Sequence, residues 1–255
     1  MNLLDLTLLT PAKNLAADEA LLDWCEAGHG DDTLLFWEPR EAFVVVGYAN
    51  KVATEVNVAA CEAKGIPIFR RCSGGGTVVQ MAGGLNYSLI LHIDENAPTR
   101  NITSANQFIM EKNRAAIENA FQRPATGQRQ PAILICGHTD LALVTRHPSP
   151  VTSKKFAGNS QRRRKNFLLF HGTLLLNCDL ALIAELLLMP SRQPDYRASR
   201  SHSDFVTNLN LSAKIVKAAL AKEWSANAEL RNPPLKEISR LAKEKYSTHE
   251  WNFKF

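Results

Sequence analysis

The chain has 255 residues, 45% hydrophobic and 22% charged, which is enough apolar material for a sizeable core and too little bias for disorder or a fibrous repeat. No apolar run approaches the roughly 18–20 residues of a bilayer span and the N-terminus lacks the basic flank of a signal peptide, so no membrane role and a cytoplasmic location are expected. Five widely spaced cysteines without a CxxC pair argue against a disulfide framework or zinc site, and the net charge of +5 favours acidic partners.

In chain order, residues 14–26 carry Leu15, Leu21, Leu22 and Cys25 at helical spacing. Residues 34–37 and 43–46 read as strands around a turn at Pro39, and 54–64 as a helix closed by Gly65. A strand over 66–71 leads into a glycine loop and a further strand at 77–80. Leu85, Tyr87, Leu89, Leu91 and Ile93 alternate with Asn86, Ser88, Ile90 and His92, which predicts a strand with one face more apolar. Residues 104–122 form an amphipathic helix, with Ile109, Ala116, Ile117, Ala120 and Phe121 on one stripe. Strands over 141–144, 155–161 and 167–176 precede a helix over 180–189, stopped by Pro190. The remainder is helical, with Val216, Leu220 and Trp224 on one face and Ile238, Leu241 and Tyr246 on another. The strands cluster without regular βαβ alternation, which predicts an α/β (α+β) fold: a mixed, mostly antiparallel sheet flanked by helices.

Four segments carry chemistry. Arg70-Arg71-Cys72-Ser73-Gly74-Gly75-Gly76 combines forked cationic donors with a glycine row that exposes backbone N–H groups, the elements of an anion or carboxylate cradle. It matches neither a P-loop nor a Rossmann fingerprint, since a strand follows it, and its alternative is a glycine-rich turn. In plain strand geometry Lys155, Ala157 and Asn159 share a face, and a cleft-facing lysine neutralises charge that builds on a phosphoryl or carboxylate oxygen. The run Arg162-Arg163-Arg164-Lys165 beside it is either a docking edge for an acidic partner or a solvated hairpin end. Asp140, before an apolar strand, suits Mg²⁺ or a turn. Cys136 is either a nucleophile with His138 or His171 as base, or a small buried hydrophobe. His171-Gly172 inside a strand marks close backbone approach or a structural histidine.

Taken together, RRCSGGGTVVQ at 70–80, GLNYSLIL at 84–91, GHTDLAL at 137–143, KFAGNSQRRR at 155–164 and FHGTLLLN at 170–177 resemble the biotin/lipoate A/B protein ligase family, most closely its lipoate-protein ligase A branch. NLAADEALL at 14–22 and EKYSTHEWNF at 244–253 extend the resemblance over nearly the whole chain. It implies a fold related to class II aminoacyl-tRNA synthetases and biotin protein ligases. One catalytic domain would span 1–255, with residues from about 210 onward as its helical C-terminal part and no separate accessory domain. It also implies activation of lipoate by ATP with Mg²⁺ and transfer of the lipoyl group to a lysine of an acidic lipoyl domain. Such domains belong to 2-oxoacid dehydrogenase or glycine-cleavage carrier proteins, and a separate accessory subunit is a further expected partner. On this pattern Arg70, Arg71, Ser73, Gly74, Gly75 and Gly76 hold lipoate and its activated carboxyl, and Lys155 contacts the reacting carboxylate and phosphate. Gly158, Asn159 and Gln161 shape the adenylate pocket, Asn86 lines the acyl tunnel, His171 adjoins the substrate and Asp140 meets Mg²⁺.

The chain departs from that pattern at Gln80-Met81, where His-Asp is frequent, and at His138-Thr139, where Arg-Asn is common. Relatives without the accessory domain include ATP-independent octanoyltransferases, whose cysteine lies upstream of KxxGxxQ as Cys136 does. That transferase, taking octanoate from its carrier protein, is the alternative. A non-catalytic protein binding nucleic acid through 162–165 is the third reading. No nucleic-acid module or aromatic interleaving supports it.

Overall fold

Residues 1–121, 131–145 and 152–255 are described in this computed structural model. The strands are β1 (Asn2–Asp5), β2 (Thr33–Trp37), β3 (Phe43–Val46), β4 (Ile68–Arg70), β5 (Val78–Gln80), β6 (Gly84–His92), β7 (Ile133–Cys136), β8 (Asp140–Thr145), β9 (Thr152–Arg163), β10 (Phe167–Leu175) and β11 (Ala228–Glu229). The helices are α1 (Pro11–Glu26), α2 (Val52–Glu55), α3 (Val58–Ala63), α4 (Ile102–Ala120), α5 (Leu180–Leu186), α6 (His202–Phe205), α7 (Ala213–Glu223), α8 (Leu235–Leu241) and α9 (His249–Asn252), with a π-helical turn at Ala242–Tyr246.

The expected mixed, mostly antiparallel sheet with flanking helices is present. Its order is β11-β1-β2-β6-β10-β9-β8-β7, parallel only at β11-β1-β2. A smaller sheet, β4-β3-β5, stands beside it. Apolar β6 and β10 pair at the centre, from Gly84 against Leu175 to His92 against Phe167. Eight of the nine residues of β6 are buried, so both its faces are covered rather than one. On one face Tyr87, Leu89, Leu168 and Phe170 pack against Ile109 and Ile117 of α4 and Val216 and Leu220 of α7. On the other, Leu35, Ile90 and Leu169 meet Ala17 and Leu21 of α1 together with Ile238 and Tyr246. Among the described residues no helix is long and apolar enough to cross a membrane.

Local chemistry sets the ends. The Thr10 hydroxyl accepts from Lys13 N–H with Pro11 in the first turn of α1, and the Asn101 side chain caps α4. The helix expected over 54–64 is split, because Val56 is extended and bridges Leu187. The helix expected to reach 189 stops at Leu186, and Gln122 lies outside the described residues. Strands β1, β7 and β11 carry too few residues for a periodic signal. One irregularity governs the site. Leu141 of β8 faces Ala157, but Ala142 faces Lys155, so Phe156 is an extra residue in β9. This is a β-bulge, which re-aims the side chains on one side of it.

Candidate active site

Directly opposed residues of antiparallel strands share a face. The register lines up Cys136, Asp140, Gly158, Thr173 and Asn86 across five strands, from β7 through β8, β9 and β10 to β6. Two residues along, Ser160, His171 and Ser88 form a second row on that face. The face looks toward α1 and the glycine loop.

The bulge brings Lys155 onto this face. Its Nζ lies 2.8 Å from Asp140 Oδ1 and covers Gly158, where an added Cβ would sit 2.7 Å from that nitrogen. Tyr196 donates its hydroxyl to Asp140 Oδ2 at 2.7 Å. The expected sharing of a face by Lys155, Ala157 and Asn159 is therefore corrected. Ala157 is buried among the α4-side core residues. Asn159 accepts from Tyr87 Oη at 2.6 Å and donates to the Thr139 carbonyl at 2.7 Å, and Gln161 donates to Asn106 of α4 at 3.2 Å. Asn159 and Gln161 thus stand on the far side of the sheet from Lys155, whereas Gly158 stays beneath it.

Both oxygens of Asp140 are engaged, and no group of three or more potential metal-ligating side chains occurs among the described residues. The expected Mg²⁺ therefore does not fit at Asp140, since a hard cation needs several free oxygens. Cys136 closes the β7–β8 hairpin opposite Asp140 and is half-buried. Burial pushes its thiol up most strongly and Asp140 adds to that, while a hydrogen bond with Ser153 and the charge of Arg200 oppose them. The resting group is a thiol. His138 is exposed, and His171 is committed to other partners.

The two loop arginines do different work. Arg70 is 0% exposed. Its guanidinium donates to the carbonyls of Gly47, Tyr48, Asn50, Trp251 and Asn252, so it is a structural tie and not the expected holder of lipoate. Arg71 lies inside the glycine loop. Nε donates to Ser73 Oγ at 3.1 Å, and Nη2 to the carbonyls of Gly74 and Gly76 at 2.6 and 2.7 Å. Burial brings this guanidinium down to about 10. Ser160 Oγ also donates to Gly74 O, at 2.9 Å. With the carbonyls turned inward, the N–H groups of exposed Gly74, Gly75 and Gly76 have no partner among the described residues. Gly75 has φ +83°, a conformation that favours glycine.

Beneath the loop, Ser73 Oγ lies 2.5 Å from His171 Nε2, and His171 Nδ1 lies 2.6 Å from Asp18 Oδ2. Ser88 donates to the other Asp18 oxygen at 2.5 Å. A carboxylate only accepts, so Nδ1 carries a hydrogen, which in a neutral ring leaves Nε2 to accept from Ser73. Asn86, expected in an acyl tunnel, is closed into a ring with Gln80 and Thr173 at 2.6–2.8 Å. Asp18 and Tyr196 were missed from sequence. Asp18 does leave a signal, a charge on the stripe that Leu15, Leu22 and Cys25 mark as core.

The three arginines of the basic run are spent internally, and Lys165 is exposed. Arg162 bonds the Cys72 carbonyl and approaches Glu19, Arg163 bonds the carbonyls of Thr99 and Arg100, and Arg164 pairs with Asp23. These arginines are therefore not the free cations that either the acidic-partner or the nucleic-acid reading expects of them.

Residues 10–225 match the model of the lipoyl protein ligase A/B catalytic domain. Octanoyltransferase LipM of Geobacillus kaustophilus is 29% identical over 271 residues, covering 96% of this chain and 94% of that protein. Octanoyltransferase LipM of Halalkalibacterium halodurans is 29% identical over 266 residues, with 96% and 95% covered. Among solved structures, the archaeal bi-partite lipoate protein ligase of Thermoplasma acidophilum, studied with its E2 lipoyl domain, aligns with TM-score 0.75 and 25% identity over 99% of this chain and 96% of that one. Lipoate-protein ligase A bound with ATP aligns with TM-score 0.69 at 24% identity, over 99% of each chain, a likeness of fold.

Proposed function

The chain belongs to the lipoyl protein ligase A/B catalytic-domain family, and from that premise we propose that it carries an octanoyl group from a carrier-protein thioester to a lysine of a lipoyl domain by way of Cys136. The ATP-dependent lipoate ligase expected from the sequence is overturned by the curated relatives matched over 96% of the chain, which are octanoyltransferases. What stands at the coarser level is an enzyme of the lipoyl ligase and transferase class.

The observation that carries the reading is the register placing Cys136 opposite Asp140, with Lys155 Nζ 2.8 Å beyond that carboxylate. Directly opposed Cβ atoms lie about 4.5–5.5 Å apart, so Cys136 shares a face with the Lys155–Asp140 pair and adjoins Asp140. In the first half-reaction the Cys136 sulfur bonds to the thioester carbonyl carbon and the donor's C–S bond breaks. The proton lost by Cys136 is the one the departing thiol needs. The ammonium offsets negative charge as it builds, and the free N–H groups of Gly74–Gly76 supply donors for the carbonyl oxygen. A thioester already carries the free energy that adenylation would provide, so this chemistry needs no ATP. In the second half-reaction the acceptor lysine's amine bonds to the acyl carbonyl carbon, the C–S bond to Cys136 breaks, and the proton lost by the amine is the one the released thiolate takes, leaving an amide and the free thiol. We take 1–255 as one catalytic domain in this reading. The net charge of +5 favours acidic acceptors, such as the lipoyl domains of 2-oxoacid dehydrogenases or the glycine-cleavage carrier.

The test is intact mass of an apo lipoyl domain after incubation with the protein and octanoyl-carrier protein without ATP. The expected result is an octanoyl-sized gain, with the same gain trapped on Cys136 when the acceptor is omitted. Transfer that persists in Cys136→Ala, or that requires ATP, overturns the reading.

A further inference from the structure

A lysine nitrogen rides on a flexible four-carbon stem, so a strand that fixes only the backbone leaves Nζ unplaced. In this fold one stretch of chain, residues 194–207, holds Lys155 at both ends. At the backbone, Val206 bridges Lys155 in parallel and Thr207 N–H donates to the Lys155 carbonyl at 2.9 Å, beside the bulge at Phe156. At the tip, Nζ meets Asp140 Oδ1, and the other oxygen of that carboxylate takes the Tyr196 hydroxyl.

The stretch is shaped to present Tyr196. Ala198 and Ser199 are consecutive non-glycine residues at φ +50° and +55°, a left-handed conformation that persists only where the surroundings over-determine it. Arg200 and Phe205 do so here. The Arg200 guanidinium donates to the carbonyls of Tyr196, Arg197 and Ser153 at 2.8–3.0 Å, which ties the turn to itself and to β9 two residues before Lys155. The buried Phe205 ring receives Arg197 at 4.6 Å and Arg200 at 5.2 Å, and its centroid lies 5.2 Å from that of Tyr196. On its other side the turn seats on the β7–β8 hairpin, where a Cβ at Gly137 would lie 3.5 Å from Pro194 and 3.6 Å from the Tyr196 ring. The phenol has one hydrogen to give, and Asp140 receives it. Burial, and after it the Asp140 charge, push the Tyr196 hydroxyl well up, so it remains a donor.

We propose that Tyr196 is a positioning residue for acyl transfer: by occupying Asp140 Oδ2 it fixes the plane of the carboxylate, so that Oδ1 holds Lys155 Nζ over Gly158 on the face that Cys136 shares. The inference rests on the octanoyl-Cys136 reading and adds to it the group that sets the geometry of the Lys155–Asp140 pair. Tyr196 touches no reacting atom and acts only through Asp140. Without its hydrogen bond the carboxylate turns about a broad terminal torsion, and Lys155 Nζ turns with it.

The experiment follows formation of octanoyl-Cys136 from octanoyl-carrier protein by intact mass, in the wild type, Tyr196→Phe, Asp140→Ala and the double variant. The phenyl ring keeps its packing on Phe205 and Gly137, so Tyr196→Phe is expected to melt within a few degrees of the wild type. At saturating donor it is expected to acylate about tenfold more slowly, the effect of losing one hydrogen bond to a charged group, with the half-saturating donor concentration unchanged. Asp140→Ala is expected to be at least as slow, and Tyr196→Phe to add nothing to it, because the route through Asp140 is gone. A phenol that only braced the fold would slow both backgrounds by the same factor. Equal loss in both backgrounds overturns the proposal, as does a full rate in Tyr196→Phe or a change confined to the half-saturating concentration. A wild-type chain on which octanoyl-Cys136 never forms overturns the cysteine reading and this role with it.

Discussion

The two faces of β9 are built from similar side chains and behave in opposite ways. Toward α4, Asn159, Tyr87, Asn113, Thr139 and Trp224 form a chain of bonds at 2.6–2.9 Å, from Trp224 Nε1 through Asn113 and Tyr87 to the β7–β8 turn. That face holds shape. Toward α1 and the loop, Cys136 is half-buried and the Gly74–Gly76 N–H groups lack partners among the described residues. A polar residue on a strand is therefore no guide to chemistry until its unused valences are counted, and two neighbours in sequence fall on opposite sides of that distinction.

The comparison breaks most sharply at Cys136. Cys136→Ala is expected to abolish octanoyl transfer, a loss of at least about 10³-fold, with the melting temperature unchanged within a few degrees. An unaltered rate in the mass assay would remove the functional side of the contrast. Asn159→Leu should do the reverse. It strands the Tyr87 hydroxyl hydrogen and the Thr139 carbonyl, while the Thr139 hydroxyl keeps the Asn159 backbone carbonyl, and by the cost of unsatisfied polar atoms should destabilise by about 2–3 kcal/mol in urea titration. Hydrogen exchange at the β7–β8 turn would rise first. Gly158→Ala sharpens the boundary between the two. Its Cβ meets the flexible end of Lys155, so the side chain moves off Asp140. A roughly tenfold fall in rate is expected, worth about 1.4 kcal/mol of barrier, with stability changed by less than about 1 kcal/mol.

The smallest effect is on pH. Burial pushes the Glu19 carboxyl up, but Lys245, Tyr246 and Arg162 outweigh it and hold it below the ordinary value of 4.5. A depressed acid contributes stability that is present above the unfolded pKa and is lost as pH falls through the folded one. Glu19→Gln should therefore flatten the stability profile below about pH 4.5, read from urea midpoints across pH 3 to 6. An acid limb as steep as the wild type's would assign that limb to other carboxylates.

Much of the fold was legible. The apolar strands 84–92 and 167–175, the long helices and the antiparallel class follow from period and clustering, which are local properties. The motifs gathered by resemblance also converge, since Ser73, Lys155, Gly158 and His171 do reach one face. What failed is what depends on a third dimension. The extra residue Phe156 is invisible to a period-two argument and moves Lys155 across the sheet relative to Asn159. Arg70 and Arg71 look alike in the sequence, yet the partners of the first lie as much as 182 residues away. Asp18 finds His171 across 153 residues, and only its misfit among leucines marks it beforehand. The choice between ligase and transferase rested on a cysteine with no distinctive local pattern, and the relatives, not the residues, reversed it.

The Arg70 junction also bears on when the enzyme becomes competent during its own synthesis. The loop that presents Ser73 is anchored through a guanidinium whose acceptors include the carbonyls of residues 251 and 252. At a translation rate of about 5–20 residues per second, some ten seconds or more separate the emergence of Arg70 from that of its last partners. Through that interval a buried cation is short of two of its five acceptors and the glycine loop lacks its backing. A nascent chain stalled before Trp251 should thus hold its central sheet yet be inert toward acyl thioesters, so that reactivity is withheld until translation has passed this point.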